Sequence, residues 1–231
     1  MSDDRVLWIT GASSGIGAAT ARAAAADGWR LVLAARSLDR LEALAEELGG
    51  PDRAVAVECD VTEWADQQAA VVTALEHFGS LDAAWANAGF GAQRGFLLDS
   101  PEHWRSMVLT NVYGAALTIR AALPALTESG GHLLLTGSVA GRRNIVGSLY
   151  SATKHAVHAM AESVRLEVDG TGVRVTVIAP GIVETPFFAD GAPLAEPLQV
   201  DDVARAVIYA LSQPPHVDVN EVLVRPTSQP T

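Results

Sequence analysis

The 231-residue sequence has one cysteine, Cys59, which excludes an internal disulfide framework and a cysteine-based zinc site. Positive charge is also scarce, because 16 lysines and arginines stand against 27 aspartates and glutamates and give a net charge of −11. A chain this acidic, with no basic cluster, is a poor candidate for binding nucleic acid or an anionic membrane. It also lacks a signal-peptide core and any apolar run near the roughly 20 residues that span a bilayer. We therefore expect a cytoplasmic protein that binds neither nucleic acid nor membrane.

Apolar residues make up 49% of the chain and form short runs that alternate with longer segments of helical periodicity. Most runs are apolar on successive residues, as in Leu31-Val32-Leu33, which is typical of strands covered on both faces and so of a parallel sheet. Seven strands are predicted: Val6–Thr10, Leu31–Ala35, Ala54–Cys59, Leu81–Ala86, His132–Thr136, Val173–Ile178 and Glu221–Val224. We expect residues 1–231 to form a single α/β domain, a Rossmann-type doubly wound parallel sheet of about seven strands with helices on both faces.

A glycine-rich turn follows the first predicted strand, with the sequence Thr10-Gly11-Ala12-Ser13-Ser14-Gly15-Ile16-Gly17. Glycines here permit a tight turn and let backbone N–H groups approach a pyrophosphate at a helix N-terminus. The spacing differs from the G-x-G-x-x-G of other dinucleotide-binding folds, and a structural strand-to-helix turn is the alternative. The position of the turn, after the first strand and before a helix, favours a nucleotide site.

The residues after the second predicted strand indicate which nucleotide binds. An acidic residue at the end of this strand would accept hydrogen bonds from an adenosine 2′-hydroxyl, but Ala35 stands there. Arg36 offers a guanidinium fork that fits a 2′-phosphate, and Ser37 adds a hydroxyl. The alternative is a solvated arginine that opens the next helix. For a nicotinamide nucleotide, these residues favour NADP(H) over NAD(H).

Asp60 follows the third predicted strand, where a crevice forms outside the strand ends. Its carboxylate either accepts a hydrogen bond from an adenine amino group or caps the helix that begins near Glu63. Cys59 beside it is interpreted as a small buried hydrophobic residue rather than a reactive thiol.

A candidate catalytic group follows the fifth predicted strand and consists of Ser138, Tyr150 and Lys154. Residues four positions apart on a helix share a face, so Tyr150 and Lys154 point into one site. A free tyrosine has a pKa near 10, and acid–base work near pH 7 requires lowering it by about 3, or ~4 kcal/mol. A cation about 4 Å away stabilises the phenolate by on the order of 4 kcal/mol at an effective dielectric near 20, so one lysine is about enough for this shift.

Taken in order, these motifs resemble the short-chain dehydrogenase/reductase family over essentially the whole chain. The matching segments are Thr10-Gly11-x-x-x-Gly15-x-Gly17, Asn87-Ala88-Gly89, Asn111, Ser138, Tyr150-x-x-x-Lys154 and Pro180-Gly181. The resemblance implies a hydride exchange between a nicotinamide cofactor and the carbon of a small-molecule alcohol or carbonyl, with the hydride chemistry supplied by the cofactor.

The resemblance also implies a role for each catalytic residue. Tyr150 would deliver or remove the proton of the substrate oxygen, and Ser138 would orient that oxygen. Lys154 would lower the pKa of the tyrosine and hold the nicotinamide ribose, and Asn111 would hold a water in a proton relay behind it. The implied cofactor-binding residues are Gly11, Ser13, Ser14, Gly15, Ile16, Gly17, Arg36, Asp60, Val61, Asn87, Ala88, Gly89, Tyr150, Lys154, Pro180, Gly181, Val183 and Thr185, where Thr185 would bind the nicotinamide carboxamide.

Two positions depart from the family pattern. Ala86 replaces the first asparagine of the usual Asn-Asn-Ala-Gly segment, and we expect a packing change there rather than lost catalysis. Ser14 stands where some NADP-using members carry a basic residue, which leaves Arg36 as the main phosphate determinant.

The walls of the substrate pocket are expected to come from Phe90–Phe96, Val139–Leu149 and a short substrate loop near 182–199. Arg142 and Arg143 follow Ser138 closely and either pair with a substrate carboxylate or lie on the surface or in a subunit contact. Further candidates for the pocket are Arg94, Phe187 and Phe188, of which the two phenylalanines equally fit a core position.

The tail from Asn220 to Gln229 is similar to the ending of an NADP-preferring branch of the family, which includes 3-hydroxy-acid (serine-type) dehydrogenases and a clavulanic-acid-pathway aldehyde reductase. It implies a small, polar substrate with or without a carboxylate, or an antibiotic-pathway carbonyl. Helices like Pro101–Ser129 and Ser148–Val168 commonly build a tetramer in the family, so a homo-oligomer, tetramer or dimer, is expected. His155 and His158 are interpreted as core or interface residues, and no metal site is predicted.

Two other functions compete with an NADP(H)-dependent oxidoreductase. The first is a catalytically silent nucleotide-binding sensor or scaffold, although such a protein has no need of Asn111, Ser138, Tyr150 and Lys154 together. The second is an isomerase or dehydratase that acts on nucleotide sugars, which ordinarily requires a larger C-terminal substrate domain.

Overall fold

The computed structural model describes residues 5–93, 95–145, 149–185 and 192–229. Its strands are β1 Val6–Thr10, β2 Arg30–Ala35, β3 Ala54–Glu58, β4 Ala83–Ala86, β5 His132–Thr136, β6 Arg174–Pro180 and β7 Glu221–Val224. Its α-helices are α1 Gly15–Ala26, α2 Leu38–Glu47, α3 Trp64–Thr73, α4 Pro101–Val108, α5 Ala115–Ser129, α6 Leu149–Glu167 and α7 Val200–Leu211. Two π-helical turns, Ala74–Phe78 and Leu109–Gly114, and one 3₁₀ turn, Val139–Gly141, complete the helical structure of these ranges.

The seven strands form one sheet in the order β3-β2-β1-β4-β5-β6-β7, and every neighbouring pair is parallel. This arrangement confirms the predicted fold class, and each predicted strand is present with bounds that differ by no more than two residues. The chain order reverses between β1 and β4, which creates a crevice outside the carboxyl ends of these strands.

Helices cover both faces of the sheet, as the successive apolar residues of the strands predicted. Val6 and Trp8 of β1 are buried in the cluster that contains residues of α3, α5 and α6. Leu7 and Ile9 belong to the opposite cluster, with residues of α1, α2 and α7. Alternate residues of a strand point to opposite faces, so β1 carries apolar residues on both of its faces. None of the helices in the described ranges combines the length and the apolar character needed to cross a membrane.

Candidate active site

The carboxyl ends of the strands open into a cleft of about 990 Å³ at the switch point of the sheet. With the exception of Asn111, the cleft is lined by all the predicted site residues: Gly11, Ser13, Ser14, Gly15, Ile16, Gly17, Arg36, Asp60, Val61, Asn87, Ala88, Gly89, Ser138, Tyr150, Lys154, Pro180, Gly181, Val183 and Thr185. The described part of the predicted substrate loop also contributes Ile182, Pro193 and Leu194 to the lining. Arg94, Phe187 and Phe188 lie outside the described residues.

The glycine-rich turn between β1 and α1 leaves space where side chains would otherwise stand. Gly11 and Gly15 have positive φ angles of 66° and 53°, a conformation that L side chains rarely adopt. A Cβ on Gly17 would lie 2.3 Å from the carbonyl oxygen of Gly11, which is a steric clash. Ser14 is the N-cap residue of α1 and makes no side-chain cap hydrogen bond, so N–H groups of the first turn stay available. An uncapped helix N-terminus that lines a cleft is suited to bind phosphate.

Asn87 fixes the switch point by connecting the ends of three strands. Its Nδ2 donates a 3.0 Å hydrogen bond to the carbonyl of Thr10, the last residue of β1. Its Oδ1 accepts a 3.1 Å hydrogen bond from Oγ1 of Thr136, the last residue of β5. The backbone N–H groups of Asn87 and Ala88 both donate to Thr10 Oγ1, at 2.9 and 3.1 Å. Asn87 therefore holds the floor of the cleft in place with both ends of its amide.

Arg36 and Asp60 lie after β2 and β3 and line the same end of the cleft, with the Arg36 side chain exposed. Burial acts to raise the pKa of Asp60, but hydrogen bonds from Thr62 N (2.9 Å) and Thr62 Oγ1 (2.8 Å) and the charge of Arg36 outweigh it and lower the pKa. Asp60 does not cap α3, because that helix begins at Trp64 with Glu63 as its N-cap residue. The helix-cap interpretation is therefore wrong, and the ionised carboxylate stays in the cleft near Arg36.

Ser138, Tyr150 and Lys154 meet at the other end of the cleft, after β5 and on the first turns of α6. The Ser138 hydroxyl donates to the carbonyl of Pro180 at 3.4 Å, accepts from Ala140 N at 3.1 Å, and is hydrogen bonded to the Tyr150 side chain. Lys154 Nζ donates a 2.7 Å hydrogen bond to the carbonyl of Thr136 and lies 5.6 Å from the centre of the Tyr150 ring. The three side chains predicted from spacing are therefore neighbours.

Burial sets the pKa values of this group. It raises the pKa of Tyr150 to about 12, although the hydrogen bond with Ser138 acts in the opposite direction. Burial also lowers the pKa of Lys154 to about 8. The expected lowering of the tyrosine pKa by the lysine is not among the effects that the structure shows. The ammonium is directed at the Thr136 carbonyl, and desolvation of the phenolate is the largest effect.

Asn111 is buried beside the cleft in the π-helical turn between α4 and α5. Its side chain bonds both backbone groups of Phe90, accepting from N at 3.0 Å and donating to O at 2.9 Å. Nδ2 also donates to Thr153 Oγ1 at 3.2 Å, and that hydroxyl donates to the Tyr150 carbonyl at 2.8 Å. Asn111 thus connects the loop after β4 to the helix turn that carries Tyr150.

Arg142 has a partner that the sequence analysis did not identify. Its guanidinium forms a bidentate ion pair with Glu221 at the start of β7, with Nε 3.0 Å from both carboxylate oxygens. Glu221 Oε1 also lies 3.8 Å from Nδ1 of His158, which is buried as predicted for a core histidine. Arg143 is exposed and also lines the cleft.

The C-terminal segment supplies three cleft residues that sequence reasoning missed, Leu223, Arg225 and Gln229. Gln229 Oε1 accepts a 2.9 Å hydrogen bond from the backbone N–H of Ile182, which fixes the chain just after Pro180-Gly181. From its sequence, the tail indicates only a similarity to one branch of the family. Its position beside the pocket depends on β7 pairing with β6, which the local sequence pattern does not specify.

Comparison with known proteins places this site in a family. A family model described as short chain dehydrogenase matches residues 5–193. An uncharacterized oxidoreductase of Staphylococcus epidermidis is 37% identical over 227 residues, which cover 96% of this chain and 97% of the relative. A further uncharacterized oxidoreductase, from Staphylococcus saprophyticus, is 40% identical over 230 residues, with the same coverage of 96% and 97%.

Solved structures share the fold over nearly the full length. The alcohol dehydrogenase of the archaeon Thermococcus sibiricus, complexed with 5-hydroxy-NADP, superimposes with a TM-score of 0.90 at 35% identity and covers 98% of both chains. Serine dehydrogenase from Escherichia coli superimposes with a TM-score of 0.88 at 29% identity, covering 98% of this chain and 100% of that one.

Proposed function

Because the chain belongs to the short-chain dehydrogenase family of oxidoreductases, we propose that it is an NADP(H)-dependent enzyme that interconverts a carbonyl and a primary or secondary alcohol by hydride transfer, with Tyr150 as general acid/base. The observation that carries the proposal is the shared cleft: Ser138, Tyr150 and Lys154 line one end, and the glycine-rich turn and Arg36 line the other. In this proposal residues 1–231 act as one catalytic domain, and the segment near 182–199 helps to form the substrate pocket.

The residues present fit a dinucleotide. The clash that a Cβ would make at Gly17 and the uncapped first turn of α1 leave a phosphate site next to β1. Asp60 lines the end of the cleft where the adenosine would bind. Thr185 Cγ2 lies 3.7 Å from the position of a Cβ on Gly15, so the segment after β6 packs close to the turn. The bound nicotinamide would supply the hydride acceptor or donor.

Residues of the chain itself would transfer the proton to and from the substrate oxygen. With a pKa of about 12, Tyr150 keeps its proton near pH 7 and is ready to donate it to the oxygen of a carbonyl substrate. The Ser138 hydroxyl, hydrogen bonded to Tyr150, would hold the same oxygen. Lys154 has a pKa of about 8 and is mainly charged at pH 7, so its ammonium would favour the negative charge that remains after proton donation.

Support for NADP(H) comes from the residue types around the adenosine end. Arg36 is exposed at the end of β2, and Ala35 offers no carboxylate to a ribose hydroxyl. Two structural relatives were solved as complexes with such cofactors, the alcohol dehydrogenase with 5-hydroxy-NADP and the closed form of serine dehydrogenase with NADP⁺. The fork of Arg36 would bind the 2′-phosphate.

We also propose a cytoplasmic homo-oligomer, a tetramer or dimer, that acts on small molecules. Support comes from a groove along α5 that is lined by Trp64, Tyr113 and Leu123, with Arg120 and Glu167 among its charged residues. Leu166 on the neighbouring α6 is 81% exposed, and burial against a second copy would remove this apolar surface from water.

A fluorescence titration with NADPH and NADH, performed at one ionic strength on wild type and Arg36→Ala, tests the proposal. We expect wild type to prefer NADPH, and the variant to lose about tenfold or more of that affinity while NADH binding stays unchanged. Arg105→Ala is the matched control, because Arg105 is exposed on α4 and is not among the cleft residues. Equal binding of both nucleotides by wild type would contradict the NADP(H) assignment. Binding without turnover of any carbonyl would favour the sensor or scaffold function.

A further inference from the structure

The cleft is positively charged although the chain is acidic. Within the described residues, five cationic side chains and one carboxylate line it: Arg36, Arg142, Arg143, Lys154, Arg225 and Asp60. The whole chain has a net charge of −11. A cleft with an excess of one charge sign concentrates ligands of the opposite sign, so this cleft is suited to anions.

Most of these cations already have an assigned contact. Lys154 donates to the Thr136 carbonyl, and Arg142 is neutralised by Glu221. Arg36 lies at the nucleotide end, where its charge acts on Asp60. Arg143 and Arg225, by contrast, have no side-chain hydrogen bond or ion pair with any described residue, and Arg225 is half-buried. Neither arginine has a guanidinium nitrogen among the buried, unpartnered side-chain atoms of the described residues, so both groups are accessible to a ligand that enters the cleft.

Sheet register places Arg225 at the catalytic end of the cleft. Val224 pairs with Pro180, whose carbonyl accepts the Ser138 hydroxyl. A Cβ on the next residue, Gly181, would lie only 2.7 Å from the Arg225 Cβ. The side chain of Arg225 therefore starts two strands from Ser138, at the same level of the sheet.

The same register separates Arg225 from the phosphates of a dinucleotide. β7 is five strand positions from β2, which ends before Arg36, and this corresponds to about 24 Å at the usual spacing between strands. It is four positions from β1 and the glycine-rich turn, or about 19 Å. Arg143 lies five residues after Ser138 and is the second residue beyond the 3₁₀ turn Val139–Gly141. Both arginines therefore lie nearer to the catalytic Ser138 than to the end of the cleft that contains Arg36.

We propose that Arg143 and Arg225 form an anion subsite that binds the carboxylate of the carbonyl or alcohol substrate, while Arg142 is held away from it by Glu221. The inference rests on the proposed function, since it names the substrate class of the same site. A guanidinium binds a carboxylate through two parallel hydrogen bonds, which orients the substrate as well as holding it. The substrate class is therefore a small oxo acid or hydroxy acid.

Paired substrates that differ only in charge provide the test. Rates of NADPH oxidation are compared for acetoacetate and methyl acetoacetate, and for succinic semialdehyde and its methyl ester, with wild type and Arg225→Met. We expect wild type to favour each acid in kcat/KM by tenfold or more. The variant should lose about ten- to hundredfold on the acids and little on the esters. Arg143→Met should also lower kcat/KM for the acids. Arg225→Lys keeps the positive charge and should retain part of the activity on the acids that Arg225→Met loses. Arg105→Met is the control and should behave as wild type.

Two binding measurements separate failure of this inference from failure of the proposed function. Tryptophan fluorescence is titrated with butyrate and with butyramide, which need no turnover, and NADPH affinity is measured for Arg225→Met. Butyrate binding that requires Arg225, in a protein that reduces no carbonyl, would retain the subsite and reject the reductase. Equal turnover of acids and esters, or equal binding of butyrate and butyramide, would overturn the subsite. Weaker NADPH binding by Arg225→Met would assign Arg225 to the cofactor and overturn it as well.

Discussion

Lys154 Nζ donates a 2.7 Å hydrogen bond to the backbone carbonyl of Thr136, the last residue of β5. The lysine is 4% exposed, so this carbonyl replaces water as a partner of the ammonium. The replacement is incomplete, because burial lowers the pKa of Lys154 to about 8. The position of the ammonium beside Tyr150 is therefore maintained at a cost in desolvation, which makes the stability of the unliganded protein depend on pH.

The first prediction concerns that dependence. The folded protein releases the Lys154 proton near pH 8, whereas an unfolded chain keeps it to about pH 10.5, so the unfolded state binds more protons in between and stability rises with pH. Relative to Lys154→Met, the free energy of unfolding of wild type should rise by about 1.5 kcal/mol between pH 8 and pH 9.5. Urea unfolding at the two pH values measures it. Cys59, whose pKa burial raises to about 12, opposes the rise equally in both proteins. Parallel pH profiles would show that Lys154 is not desolvated.

The second prediction separates an enzyme from a binding protein. Tyr150→Phe removes the hydroxyl that would transfer the proton and keeps the ring, so turnover should fall by about a hundredfold or more while NADPH affinity stays within about twofold of wild type. Steady-state kinetics and fluorescence titration measure the two quantities. Tyr113→Phe is the control, because Tyr113 is 48% exposed and lies outside the cleft. An unchanged rate in Tyr150→Phe would remove the tyrosine from the proton transfer.

The third prediction uses two glycines whose substitution is unfavourable for different reasons. Gly17→Ala places a Cβ 2.3 Å from the Gly11 carbonyl, so the turn must shift; we expect about 1–3 kcal/mol lower stability and at least tenfold weaker NADPH binding. Gly79→Ala meets no atom within 4 Å but is strained by its φ of +84°, at about 1–2 kcal/mol. Thermal unfolding and titration distinguish them, because only Gly17→Ala should change cofactor affinity. Equal affinities in both variants would show that the turn does not bind the cofactor.

Local pattern was sufficient for the fold, and together with the resemblance to the family it identified most of the cleft. Strands buried on both faces carry apolar residues in succession, as residues 6–9 and 133–135 do, so β1 and β5 could be located to the residue. The four-residue separation of Tyr150 and Lys154 determines that they share a helix face, whatever the helix packs against. Residues that follow predicted parallel strands collect at one edge of the sheet, which is why Arg36 and Asp60 were found.

Contacts between segments that are distant in the chain could not be predicted from the sequence. Arg142 and Glu221 are 79 residues apart, and Gln229 and Ile182 are 47 apart. Both contacts require β7 to pair with β6, and strand order is not encoded in hydrophobic periodicity. The pKa of Tyr150 was mispredicted for a related reason. The sequence supports an argument from one cation at an assumed distance, whereas the buried environment of the phenol depends on the packing of the whole cleft.

The fourth prediction concerns His132, which is buried at the start of β5 between β4 and β6. Thr176 Oγ1 donates its proton to the Val219 carbonyl at 2.6 Å, so the 2.7 Å contact to His132 must be a donation from Nε2, and Nδ1 is the unprotonated nitrogen. Protonation would place a second proton on the ring, at Nδ1, and give the buried side chain a positive charge where it has no partner among the described residues. Burial, with a smaller effect of Arg174, accordingly lowers the pKa of His132 to about 3.

An unfolded histidine titrates near pH 6.5, so below that value the unfolded chain binds a proton that the folded protein excludes, and stability falls with pH. Wild type should lose about 2 kcal/mol more than His132→Gln between pH 7 and pH 5, because glutamine does not titrate in this range. Urea unfolding at both pH values measures the difference, and the carboxylates that also weaken the fold in acid are common to the two proteins. An equal loss in both would mean that His132 accepts its second proton in the folded state, which would require a water or a shifted acceptor at Nδ1.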